Sequence, residues 1–140
     1  MLSMKMNTTS PLRQERNINN LCPGFGSQIV LFMESLLERG IGPGTTVTYC
    51  SELRPFLEYI ENVCRITDVD DLTGSDVAAY AATVSVDYES GEQTFTNALN
   101  ANGLLSAVRM FCLYLYTAGM IPDDYSLLVP GIPFSDKVNP

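Results

Sequence analysis

Residues 104–115 read Leu-Leu-Ser-Ala-Val-Arg-Met-Phe-Cys-Leu-Tyr-Leu, and the spacing of their apolar positions decides the fold class. Leu104, Leu105, Val108, Phe111, Cys112 and Leu115 recur at three- and four-residue intervals, the period of an α-helix with one wide apolar face. A half-buried strand would alternate instead. Gly119 ends this helix and Pro122 prevents its resumption. Its start stays open, because Thr94, Thr96 and Asn100 each suit an N-cap and Gly103 weakens the pattern.

Working back along the chain, residues 87–93 read as a loop, and a short helix before them puts Val77, Tyr80, Ala81 and Val84 inward, with Ser75 as cap. Asp68, Asp70, Asp71 and Asp76 cluster in the polar stretch ahead of it, where acidic residues form turns and cap helices far more often than they catalyse. Further back, a helix capped by Thr45 buries Tyr49, Leu53, Phe56, Leu57, Ile60 and Cys64, with Ser51, Pro55, Glu58 and Asn62 outside and Pro55 as a kink or break. Residues 41–44, Ile-Gly-Pro-Gly, make a tight turn before it. The first helix starts near Ser27, its expected cap, buries Ile29, Phe32, Met33, Leu36 and Leu37, and stops at Gly40. Residues 1–26 are rich in Asn, Thr and Ser and read as a flexible lead-in. Beyond Pro122, the prolines at 130, 133 and 140 predict an extended linker.

Every element is helical, so the fold expected is a single all-α domain. At 140 residues and 46% hydrophobic content the chain suffices for one core. Neither eighteen consecutive apolar residues nor a secretory leader is found, so no membrane partner and a cytoplasmic location are expected. The four cysteines, Cys22, Cys50, Cys64 and Cys112, show no CxxC spacing, and the chain has no histidine. Metal ligation is therefore not expected, and buried, unbridged thiols are. Cys50 and Cys64 on one helix would stand about 21 Å apart at a rise of 1.5 Å per residue, beyond disulfide reach.

Without histidine, Ser-His-Asp and Cys-His nucleophile systems are ruled out. The Gly24-Phe25-Gly26 stretch lacks the Gly-Lys-Ser/Thr that completes a phosphate loop. No catalytic residue, cofactor or small-molecule ligand is expected. The net charge of −8 is unevenly spread: residues 27–130 hold four arginines (Arg39, Arg54, Arg65, Arg109) against fourteen acidic residues, a balance of −10. The first 26 residues carry Lys5, Arg13 and Arg16 against Glu15. Composition alone thus opposes strong nucleic-acid binding, which draws on neutralised phosphates.

Three segments together carry a resemblance. Residues 39–45, Arg-Gly-Ile-Gly-Pro-Gly-Thr, precede a helix with Tyr49, Leu53, Phe56, Leu57, Tyr59 and Ile60. Residues 66–73, Ile-Thr-Asp-Val-Asp-Asp-Leu-Thr, are completed by Asp76, Val77 and Tyr80. Residues 105–111, Leu-Ser-Ala-Val-Arg-Met-Phe, are followed by Tyr114-Leu115 and by Gly119-Met120-Ile121-Pro122-Asp123. In this order and spacing, over residues 27–124, they resemble the N-terminal SAM-like core-binding domain of tyrosine recombinases and phage integrases.

The resemblance implies a four-helix, SAM-like orthogonal bundle over residues 27–124, with residues 125–140 leading toward a catalytic domain that this chain does not contain. It implies one half of a clamp on double-stranded DNA, used in site-specific recombination and DNA integration, and no enzyme activity of the domain itself. Basic residues usual in the family are missing: Cys50, Ser51 and Pro55 stand where the second helix carries them, and Gly103-Leu104 replaces an arginine pair. The contacts left are Thr45, Thr48, Ser51, Arg54, Asn102, Ser106 and Arg109, and weak DNA binding by the isolated domain follows.

Each of these residues has a plainer use. Thr45 caps a helix, Arg54 pairs with Glu58 one turn on, and Arg109 keeps a face solvated. Tyr49 and Tyr80 belong to core stripes, and Tyr114 and Tyr116 flank one. Two other functions therefore stand beside DNA binding: an acidic protein-interaction module that has kept the fold but lost the basic surface, contacting recombinase protomers or other proteins, and an unrelated acidic helical domain.

Overall fold

The computed structural model describes residues 25–132. Its elements are α1 (Gly26–Glu38), α2 (Pro43–Asn62), a 3₁₀ turn (Val69–Asp71), α3 (Gly74–Ser90), α4 (Phe95–Thr117) and a second 3₁₀ turn (Tyr125–Leu128). The protein is all-helical, with four α-helices and no strand among the described residues. The chain divides into two compact units, Met1–Val69 and Asp70–Pro140. The flexible lead-in expected over residues 1–24 and the linker expected over residues 133–140 lie outside the described residues.

In the first unit α1 packs on α2. Ile29, Phe32, Met33 and Leu36 are buried as the spacing predicts, but Leu37 is 39% exposed. At about 100° per residue it falls beside the stripe that Leu36 centres. Ser27 does not cap this helix: Phe25 occupies the N-cap position without a side-chain bond. Phe25 is fully buried, so apolar burial, not a polar cap, fixes the start of α1, and residues 25–26 belong to the fold rather than to the lead-in. The helix ends where Gly40 turns to φ +87° and Ile41 N donates back to Leu36 O at 3.0 Å.

Helix α2 begins one turn earlier than Thr45 predicts. Gly42 is its N-cap and Pro43 its first residue, so Thr45 makes no capping bond. Thr46, fully buried, secures that first turn by donating from Oγ1 to Gly42 O at 3.0 Å. The helix runs through Pro55 without a break. Pro55 is exposed, where the loss of one backbone bond is least costly. Cys50, Leu53, Phe56, Leu57 and Ile60 form the buried face. Tyr49 is half-buried, and Cys64 lies past the helix end, half-buried and unbridged.

In the second unit α3 is longer than the sequence suggests and carries a different cap. Thr73, not Ser75, is the N-cap, and it shares a capping box with Asp76: Asp76 N donates to Thr73 Oγ1 at 3.2 Å and Thr73 N to Asp76 Oδ2 at 3.1 Å. Residues 87–90, read as loop, continue the helix to Ser90. Val77, Tyr80, Ala81 and Val84 are buried as expected.

Helix α4 is the core helix of this unit. Thr94 is its cap, accepting from Asn97 N at 3.1 Å, which resolves the open choice of start. Leu105, Val108, Phe111, Cys112 and Leu115 are buried together with Ala98, Ala101 and Ala107, while Leu104 stays half-exposed. By length and composition α4 could cross a membrane: its 18-residue window has mean hydropathy 1.2, with 44% of it buried. Its packing against α3 and the second 3₁₀ turn accounts for that apolar content.

The stretch after Pro122 is not an extended linker as far as Ile132. Asp124 caps the 3₁₀ turn by accepting from Ser126 N, Tyr125 Oη donates to Leu72 O at 3.3 Å, and the turn packs on both α3 and α4. Tyr125, Val129 and Ile132 are buried. Prolines mark extended backbone but do not tell whether that backbone is docked.

Candidate nucleic-acid interface

On α2 the buried residues Thr46, Cys50, Leu53, Phe56, Leu57 and Ile60 define an inward face, and Thr48, Ser51 and Pro55 stand exposed opposite it. Residues three apart on a helix drift by about 60°, so Thr45 and Arg54, nine apart, lie on opposite flanks of that exposed ridge. Thr45 is exposed, whereas Arg54 is half-buried, and its Nε is buried without a hydrogen-bond partner. The expected pair with Glu58 is therefore not made through that nitrogen. The ridge itself presents hydroxyls, with Thr48 Oγ1 donating to Gly44 O at 3.1 Å. At the N-terminus of α2 the backbone is open, since a Cβ added at Gly42 or Gly44 would meet nothing within 4 Å.

The buried face of α2 is inert. Burial pushes the Cys50 thiol from its ordinary 9.0 up to about 12. Burial, and after it the negative charge of Asp124, pushes the α4 thiol Cys112 up to about 12 as well. Neither is a thiolate near neutrality. No group of three or more metal-ligating side chains exists among the described residues.

On α4, Asn102, Ser106 and Arg109 fall within about 60° of one another and make a single stripe flanking the buried face. All three are half-buried. Two of them hold the chain's own backbone: Asn102 Nδ2 donates to Ile132 O at 2.9 Å, Asn102 Oδ1 accepts from Ile132 N at 2.8 Å, and Arg109 Nη1 donates to Val129 O at 2.8 Å. Val129, Gly131 and Ile132 also belong to this constellation, and no sequence pattern marks them. They follow no helical period, and only tertiary packing brings them within reach of residues 20 to 30 positions earlier.

Residues 29–119 match the family model described as phage integrase, N-terminal SAM-like domain, and the chain belongs to this family. Among curated proteins and among solved structures nothing matches the chain. The SAM-like N-terminal domain is a non-catalytic part of integrases.

Proposed function

We propose that the domain binds double-stranded DNA as the core-binding part of an integrase-type tyrosine recombinase, contributing to target-site binding in recombination and integration. Family membership over residues 29–119 carries this reading. Supporting it, the exposed hydroxyls of Thr45, Thr48 and Ser51 line the start of α2, and the uncovered N-terminal turn of that helix suits a phosphate through its backbone N–H groups and dipole. Contacts of this kind position a protein on the duplex without reading bases. On α4, Ser106 and Arg109 are the second candidate stripe.

Affinity should be low. Two arginines, Arg54 and Arg109, neutralise at most two phosphates, which sets a salt slope no steeper than about −2. Fourteen acidic residues across residues 27–130 add a repulsive field. Titration of a labelled duplex at low and moderate salt tests this. Weak, salt-sensitive binding is expected, with further loss in the Arg54→Ala, Arg109→Ala double variant; tight binding indifferent to salt would reject the electrostatic argument.

A second reading, a protein-interaction module contacting other recombinase protomers, is favoured by one observation. Helix α4 carries a single charged residue, Arg109, and leaves Leu99 and Leu113 exposed at 48% and 45%. Absence of DNA binding at low salt would shift preference to it.

A further inference from the structure

Asn102 and Arg109 are the two side chains of α4 that hold the segment following the second 3₁₀ turn. Asn102 spends both ends of its amide on Ile132, as a neighbouring strand would, and Arg109, seven residues along the helix, holds Val129 O. Val129 is held by Arg109 and Ile132 by Asn102, so residues 129–132 run along α4 in the direction opposite to the helix. Val129 and Ile132 are buried at 2% and 8% exposure, while Pro130 and Gly131 face outward. Gly131 suits the fit: a Cβ there would stand 3.1 Å from Asn102 Oδ1 and crowd the clip.

The strap therefore lies over the α4 stripe named above as a DNA contact. Arg109 is the one basic residue among the described residues of the second unit, against eight acidic ones. Its Nη1 is committed to a neutral carbonyl. A phosphate is the better partner for a guanidinium, because the bond is charge-assisted and the fork can engage two oxygens.

We propose that residues 129–132 are a latch on this stripe, resting on the DNA-binding reading: closed, the strap holds Asn102 and Arg109, and DNA phosphate displaces Val129 O from Arg109 and lifts the strap. Three side-chain hydrogen bonds and the buried Val129 and Ile132 hold the strap, so its opening is a local event that costs less than unfolding the whole unit. Each hydrogen bond of the latch lowers the open fraction, and with it the apparent affinity, by roughly fivefold to tenfold.

Two strap variants leave every side chain of the α4 stripe in place. Ile132→Pro removes the N–H that Asn102 Oδ1 accepts, and Gly131→Ala crowds the same oxygen. With circular dichroism as the folding control, both are expected to bind a duplex more tightly than the unaltered chain. Ile132→Pro should gain roughly fivefold to tenfold with its salt slope unchanged, because the bound state holds the same phosphates in both proteins. Adding Arg109→Ala to Ile132→Pro should cancel the gain. In the unaltered chain, amide exchange at Ile132 should quicken when DNA is added. Unchanged or weaker binding by both strap variants, with the unaltered chain still binding, would overturn the latch and leave the DNA-binding reading intact. No binding by any of these proteins at low salt would overturn both.

Discussion

Single residues in this protein do their work through where their polar atoms end. Asn102 and Ser106 differ little in what they could offer a nucleic acid, yet the Asn102 amide is engaged by the backbone of Ile132 and by Ala98 O. Cys50 and Cys112 show the opposite case, polar atoms with so little solvent that the proton stays on. Their thiols are raised from 9.0 to about 12 in the folded state, so folding favours the protonated form. The stability this contributes is complete below pH about 9, and it is lost as pH rises toward 12, where the unfolded thiols have already ionised. An alkaline titration followed by circular dichroism should therefore show unfolding within that window. The Cys50→Ala, Cys112→Ala variant should show a flatter profile; an identical profile would contradict the assignment. In the same core Phe111 is fully buried, and Phe111→Ala should cost about 3–5 kcal/mol by urea denaturation, because so large a cavity cannot collapse.

Helix ends are set by devices of different strength. Thr73 and Asp76 satisfy each other's backbone donors at the start of α3. Thr73→Ala should lower stability by about 1 kcal/mol, with the loss of amide protection confined to the first turn of α3. At the end of α4, Gly119 has φ +78° and Met120 N donates back to Leu115 O at 2.9 Å. A side chain in that left-handed conformation is strained, so Gly119→Ala should cost about 1 kcal/mol in a denaturant titration. A similar substitution at Gly42, whose backbone is extended, should cost less, and because a Cβ meets nothing within 4 Å at either position the difference reports conformational strain alone.

Across the whole chain the net charge of −8 acts on stability and on binding with opposite consequences for salt. Repulsion among like charges weakens the compact state and is screened within about 8 Å at physiological ionic strength. The melting temperature should therefore rise as salt is added from low ionic strength to about 0.15 M, while affinity for a duplex falls over the same range. Thermal melts and DNA titrations in the same buffers check both, and a melting temperature that falls with salt would count against self-repulsion as a controlling term.

Features that repeat at a fixed local period are legible in the sequence. The three- and four-residue spacing from Ile29 to Leu36, from Leu53 to Ile60 and from Leu105 to Leu115 marks the buried faces of three helices, and the family match over residues 29–119 spans them. Cap choice was less legible, because several hydroxyls compete within one turn: Thr45 and Ser75 qualified by type, but Gly42 and Thr73 hold the geometry. The fate of the segment from Tyr125 to Ile132 was decided only by tertiary structure. Its bonds reach Leu72, Asn102 and Arg109 across 20 to 53 positions, and no local pattern encodes a partner that distant. For the same reason the sequence offers the polar stripe of α4 as a surface, and the fold shows that stripe already bonded to its own chain.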